Sequence, residues 1–299
     1  MKNSDKIYDL CCITTFTNSD SVYNLLDSLK YNNNQLSIIF IFINQTESDI
    51  VLPNYHIDFC IIKTSRTSLS KARNNALQYL FKNNILYTHL MFPDDDSSFS
   101  PDFFLCYKKL IKSNFNYLID VYCIGSTNIF KPNKYKNHQK LTYINYDAAM
   151  SVNMIISQKN IYKTNYFDEN LGVGSRFGGG EDVDFFIRVC KDNISEFEYV
   201  KDIYYYHPSP NSTYSNLSFK KILKRFIAYG DGTIYALCKN KMYLPAAYIS
   251  IRGLGGFFIS LITFNLKLSI AYLVSFTTRV LMIFKFFLIY ERLNNKYND

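Results

Sequence analysis

Short apolar runs alternate with helical spacings through the first 125 residues. Residues 8–15 form an apolar run leading into Thr14, Thr15 and Phe16, and residues 37–43 form a continuous β-branched and aromatic one. Both have the length and content of buried strands. Residues 59–62 are a shorter run of the same kind, and residues 85–92 another, ended by Pro93. Between them Val22, Leu25, Leu26 and Leu29 recur at helical spacing up to about residue 31, with Ser19 or Asp20 as the cap. Ala72, Ala76, Leu77 and Leu80 mark a second helix over 70–81, and Pro101 opens a third to about residue 111. Strand, helix, strand, strand, helix, strand predicts a parallel sheet with helices on its faces. A Rossmann-like nucleotide fold begins this way, but no G-x-G-x-x-G follows the first strand, which argues against dinucleotide binding.

Residues 131–146 are polar and basic and read as a loop; 150–156 read as a further strand, with a helix starting near Gln158. Gly178, Gly179 and Gly180 precede Glu181 and Asp182, after which Phe185, Phe186 and Val189 keep a helical period. The glycines would let backbone approach a ligand closely. Carboxylates in a first turn are also favoured by the helix dipole alone. A short strand over 204–207 ends in His207, and a helix follows with Lys220, Lys221, Lys224 and Arg225 on its polar face. Residues 243–290 are strongly apolar, interrupted by Arg252, Lys267, Arg279 and Lys285. The longest uncharged run there, 253–266, is 14 residues, short of the roughly 20 that a spanning helix needs. In-plane amphipathic helices or a shallow hairpin are expected instead.

Charge sharpens that division. Residues 201–299 hold 13 Lys and Arg against 4 Asp and Glu, whereas residues 1–200 hold 20 against 21, so the whole net charge of +8 is C-terminal. Cations interleaved with this much apolar and aromatic material suit an anionic membrane surface and not nucleic acid. Seven cysteines, an odd number with no C-x-x-C, point to reduced thiols in a cytosolic protein, without a disulfide framework or a zinc site. The polar residues 1–6 do not read as a signal peptide.

Candidate chemistry centres on Asp94, Asp95 and Asp96, placed after the apolar run 85–92. Open α/β sheets bind ligands at that edge. Adjacent carboxylates repel unless a cation or a shared proton offsets the repulsion. An Asp-x-Asp pair completed by phosphates and water is what Mg2+ or Mn2+ prefers. Taken alone, the triplet reads better as a solvated acidic turn.

Taken in order, the motifs resemble a family. They are Thr14-Thr15-Phe16, Asn44, Ser70-Lys71-Ala72-Arg73-Asn74-Asn75-Ala76, Phe92-Pro93-Asp94-Asp95-Asp96, Phe167-Asp168-Glu169 and Gly180-Glu181-Asp182-Val183-Asp184. The chain resembles a family 2 glycosyltransferase of GT-A fold, of the bacterial kind that builds exopolysaccharide, capsule or O-antigen, over about residues 7–208. The resemblance implies an α/β domain over 1–210, with a mixed, mainly parallel sheet flanked by helices. It implies a helical, membrane-associating region over 211–299.

The same resemblance implies roles. Thr14 and Thr15 would line the nucleotide site, and Asn44, where the family commonly has an acidic residue, would contact the base. Arg73 would lie by the pyrophosphate with Asp94 and Asp95. Asp94, Asp96 and His207 would hold Mn2+ or Mg2+, with Asp96 the direct ligand. Asp182 would be the catalytic base, with Glu181 positioning acceptor or base. The implied reaction is inverting transfer from a nucleotide diphosphate sugar to a growing, lipid-linked surface glycan at the inner face of the cell membrane. Two rival readings are a sugar-nucleotide pyrophosphorylase and a membrane-peripheral binding protein without catalysis. The first would carry a Gly-rich, Lys-containing loop after strand one, which Thr14-Thr15-Phe16-Thr17-Asn18 is not.

Overall fold

The computed structural model describes residues 6–110, 114–126, 128–129, 134–209 and 217–296. They form two compact units: Met1–Phe167 with Phe185–Ser212, and Asp168–Asp184 with Thr213–Asp299. The segment Asp168–Asp184 falls inside the expected domain 1–210, yet it groups with the C-terminal helices.

The first unit is built on a nine-stranded sheet. Its strands are β1 (Ile7–Phe16), β2 (Ile38–Asn44), β3 (Asp58–Lys63), β4 (Leu86–Met91), β5 (Ser98–Phe99), β6 (Asn116–Cys123), β7 (Lys140–Leu141), β8 (Met154–Ser157) and β9 (Phe197–His207). The spatial order is β3-β2-β1-β4-β8-β6-β9-β5, with β7 beside β9. Strands β1–β4 pair in parallel, as does β6 with β9. The short β8 runs antiparallel to both β4 and β6 and joins the two parallel sets into one mixed sheet. Every residue of β2 is buried, as a parallel strand covered on both faces requires.

Helices α1 (Tyr23–Ser28), α2 (Leu69–Lys82), α3 (Phe103–Lys108) and α4 (Gln158–Thr164) also belong to this unit. The expected helix up to residue 31 is broken: 3-10 turns, Ser19–Val22 and Leu29–Asn32, flank α1. Its cap is Asn18, whose Oδ1 accepts from Asp20 N at 3.1 Å, and not Ser19 or Asp20. The expected loop 131–146 contains β7 and a 3-10 helix, Tyr143–Ala148, and residues 131–133 lie outside the described part. Strand β6 had no counterpart in the hydropathy pattern. Asn116 and Asp120 interrupt its apolar run, yet both are buried and bonded: Asn116 Oδ1 accepts from Ser157 N, and Asp120 from the Tyr199 hydroxyl.

Helix α5 (Glu181–Asn193) begins in the second unit and continues in the first. The second unit also holds α6 (Phe219–Lys239), α7 (Tyr243–Ile262) and α8 (Leu266–Lys296). The glycines before α5 face α6 and not a ligand. A Cβ on Gly232 of α6 would lie 2.0 Å from the Gly179 carbonyl oxygen. One on Gly180, whose φ is +86°, would lie 2.4 Å from the Gly232 oxygen. Backbone thus packs directly on backbone, which no side chain permits. Asp184, fully buried, anchors the end of α6 by a 3.2 Å ion pair with Lys239 and a 2.9 Å hydrogen bond from Asn240 Nδ2.

By length and composition α7 and the Leu266–Leu288 part of α8 could each cross a membrane, although no single uncharged run is long enough. Spaced single cations shorten the runs without making the segments polar. Both helices bury small residues, Ala246, Ser250 and Gly253 on α7 and Ser269, Ala271 and Ser275 on α8.

Candidate active site

The chain path explains why carboxylates and an imidazole 111 positions apart meet. Pro93 ends the hydrogen-bonding register of β4, and the aspartates follow as a turn at the C-terminal sheet edge. Strand β5 then pairs antiparallel with the end of β9, Ser98 opposite Tyr206 and Phe99 opposite Tyr205. That pairing sets His207 beside the turn. His207 Nε2 lies 3.4 Å from Asp94 Oδ2 and 3.6 Å from Asp96 Oδ1. One donor atom from each of the three lies within 4.8 Å of the others.

Electrostatics at this turn favour a cation. Burial pushes the Asp96 carboxyl above its usual range, and Asp94 adds to the rise while His207 opposes it. Asp95 is also raised, first by burial and then by its two neighbours, against a hydrogen bond from Ser21. Burial alone would lower the His207 pKa; the hydrogen bond and charge of Asp94, with Asp96, outweigh it and hold the imidazole above normal. Its Nδ1 lies 2.9 Å from the Pro208 carbonyl, to which it donates. That bond directs Nε2 at the carboxylates, the tautomer by which histidine ligates a metal. Two carboxylates and an imidazole make a donor set that fits Mn2+, and Mg2+ less well because the nitrogen is softer than its usual oxygen ligands. Asp95 is outside this set, held by Ser21.

Arg73 comes from the buried face of α2 and is 3% exposed. Its Nη2 donates to Ser151 Oγ at 2.8 Å and lies 3.5 Å from Asp94 Oδ1. The guanidinium sits 5.6 Å from the Phe92 ring centroid and 5.3 Å from that of Phe167. Asn74, next in the same motif, clamps Phe167 through both backbone groups, accepting from its N at 2.8 Å and donating to its O at 3.0 Å. Ser21, Ser151, Phe92 and Phe167 thus fix the charged groups, and sequence reasoning assigned them no such part. Only Phe92 and Phe167 had a signal, their places in the ordered motifs.

Thr14 is buried and donates to the Pro93 carbonyl at 2.8 Å, which ties β1 to the aspartate turn. Thr15 is half-buried at the end of β1. Asn44 is buried and closes its own loop: Oδ1 accepts from Thr46 N and Oγ1, and Nδ2 donates to Ser48 O, all at 2.8 Å. Glu181 is buried and Asp182 half-buried in the first turn of α5, in the second unit.

No protein-family model matches the chain, and no curated protein sequence matches it. Solved structures do. S. aureus TarS, residues 1–349, superposes with a TM-score of 0.50 at 15% identity, covering 77% of this chain and 70% of that one. The mannosyltransferase PcManGT from Pyrobaculum calidifontis, in complex with GDP-Man and Mn2+, superposes with a TM-score of 0.50 at 8% identity over 94% of this chain and 89% of that one. The fold is therefore the mixed, mainly parallel α/β architecture of GT-A type, with an apolar helical region at its C-terminal end.

Proposed function

We propose that the chain is a metal-dependent, inverting glycosyltransferase of the family 2 kind, using a nucleotide diphosphate sugar to extend a lipid-linked surface glycan. The observation that carries this reading is the Asp94, Asp96 and His207 cluster, with the buried Arg73 beside it at the sheet edge. The mannosyltransferase of similar fold holds GDP-Man and Mn2+, which supports the donor class and the cation. Mn2+ or Mg2+ on Asp94, Asp96 and His207 would neutralise charge on a diphosphate leaving group.

Each residue then has one task. Arg73, permanently charged and packed against the Phe92 and Phe167 rings, presents its fork to the pyrophosphate. Thr14 holds the aspartate turn against β1, and Thr15 lines the nucleotide site. Asn44 shapes the loop beside the base, and Asp95 fixes the turn through Ser21. Asp182 takes the proton from the acceptor hydroxyl as that oxygen attacks the anomeric carbon from the face opposite the leaving group. Glu181, buried in the same turn, positions the base. One displacement inverts the centre without a covalent intermediate.

The basic, apolar C-terminal helices hold the enzyme at the inner face of the cell membrane, where tethering raises the effective concentration of a lipid-anchored acceptor. The test is a donor panel. UDP-, GDP- and dTDP-sugars are screened with and without Mn2+ for thermal stabilisation and release of nucleoside diphosphate. A donor that stabilises and turns over only with the cation supports the reading. Pyrophosphate release from a nucleoside triphosphate and a sugar phosphate would replace it with nucleotidyl transfer.

A further inference from the structure

The second unit contains a cavity of about 700 Å3 lined by Arg176 and Phe177 of its N-terminal segment, by Lys224, Ile227, Ala228, Asp231 and Tyr235 of α6, and by Met282, Lys285 and Phe286 of α8. That volume is in the range of small-molecule sites. Its walls are aromatic and aliphatic: Phe177 stacks on Tyr235 at 4.6 Å, and Phe286 meets Tyr235 edge-on at 6.3 Å. Arg176, Lys224 and Lys285 are exposed, and none has a carboxylate ion-pair partner among the described residues. Asp231 is the one acid in the lining, so the cavity carries a net charge of about +2.

Two further features narrow the occupant. The lining holds no amide and no aliphatic hydroxyl, so a nucleobase or a sugar would find few edge partners, whereas hydrocarbon needs none. Asp231 Oδ1 is buried with no hydrogen-bond partner among the described residues. Burial also raises its carboxyl pKa, against a Thr278 hydrogen bond and the charges of Lys285 and Arg279. A phosphate monoester, whose second pKa is about 6, presents two charges to the three cations where a diester presents one, and a carboxyl with a raised pKa can donate its proton to a phosphate oxygen.

We propose that this cavity binds a hydrocarbon chain ending in a phosphomonoester, with the head on Arg176, Lys224, Lys285 and Asp231 and the chain along Phe177, Tyr235 and Phe286. This deepens the proposed function, on which it rests only for the ligand's role: it is the lipid carrier of the acceptor before a glycan esterifies its phosphate. Bilayer phosphodiesters share much of this chemistry, so the experiment separates the two sources.

The chain has no tryptophan, so Phe286→Trp gives a single fluorescent reporter in the full-length protein, held in neutral maltoside micelles. Decyl phosphate is expected to bind at least tenfold more tightly than decanol or decyl methyl phosphate, and inorganic phosphate not measurably. Lys224→Ala with Lys285→Ala should lower the affinity for decyl phosphate at least tenfold, while Lys220→Ala with Lys221→Ala, on the same helix outside the lining, should not. Equal binding of decanol, equal loss in both double variants, or a preference for the diester overturns the proposal. A titration of wild-type protein by thermal stabilisation guards against a misfolded reporter. Donor turnover is measured in parallel. Its absence with alkyl phosphate binding intact removes the proposed function and keeps the site; the reverse removes the site alone.

Discussion

In the sheet unit the largest side chains are the most buried: Phe40, Phe42, Phe92, Tyr107, Tyr117 and Tyr205 have almost no exposure. In α7 and α8 the order is inverted. Small residues face inward, while Leu244 and Ile262 of α7 and Leu266 of α8 are 85%, 75% and 63% exposed. The inward serines bond to carbonyls, Ser250 to Ala246 O at 2.9 Å and Ser275 to Phe226 O of α6 at 3.2 Å. The first pattern is what water selects by the hydrophobic effect. The second, close packing through small residues with large apolar ones outside, is that of helices that meet lipid. The contrast fits a membrane-associating role for the helices, and the proposed division of labour gives metal and donor binding to the sheet edge.

The largest effects test that assignment. Asp96→Ala is expected to lower glycosyl transfer about 1,000-fold or more, and Asp182→Asn by about 100- to 10,000-fold, as loss of a general base does. Both should leave the circular dichroism spectrum and vesicle binding unchanged. Replacing Leu244, Ile251, Phe258 and Ile262 by serine should do the opposite: flotation with anionic vesicles is lost and Mn2+-dependent donor hydrolysis persists. If the quadruple variant also loses donor hydrolysis, the division of labour is wrong.

How much of this was legible in the sequence follows from range. The alternation of strands and helices, and the aspartates at the end of β4, depend on neighbours in the chain, so the apolar runs and Pro93 announce them. Strand β6 was hidden because Asn116 and Asp120 are polar yet satisfied by partners 41 and 79 positions away. The meeting of His207 with Asp94 depends on the two-residue strand β5, too short to show a period. The resemblance implied His207, by its place at the end of the last strand, where local pattern had no means to. Gly178, Gly179 and Gly180 were conspicuous, but nothing local says that their close neighbours are Ala228, Tyr229 and Gly232 of α6 and not a ligand.

Acid sharpens the comparison at the next level of effect. His89, fully buried in β4, has Nε2 3.0 Å from the Phe115 carbonyl and Nδ1 2.8 Å from the Tyr107 hydroxyl. Burial pushes its pKa down to about 4 from 6.5, against the Phe115 hydrogen bond. The unfolded chain therefore binds the proton that the folded unit refuses. Stability from this group is complete above about pH 6.5 and is lost as the pH falls toward about 4. The slope is about 1.4 kcal/mol per pH unit and the total about 3 kcal/mol. Urea denaturation across that window should show the slope for the sheet unit. His89→Phe should be less stable at pH 7.5, because the Phe115 carbonyl loses its donor, and flatter below pH 6.5. An unchanged slope would mean that another group controls the acid limb.

The smallest effects concern how the helical unit packs. Gly232→Ala places a Cβ against the Gly179 backbone, which cannot retreat as a flexible side chain would. A loss of about 1–3 kcal/mol is expected, as for overpacking. Because Gly179 lies in the segment that leads directly into Glu181 and Asp182, transfer should fall along with thermal stability. Gly255, exposed on α7, is the matched control, since a Cβ there would meet nothing within 4 Å. Alanine at that position should raise the melting temperature slightly, by the helix propensity difference of up to about 1 kcal/mol, and leave transfer unchanged. The pair separates two reasons for glycine in one set of helices. If both substitutions destabilise, the helices need glycine for close approach to something outside the chain, and the outward face of α7 is then a packing surface and not merely an apolar one.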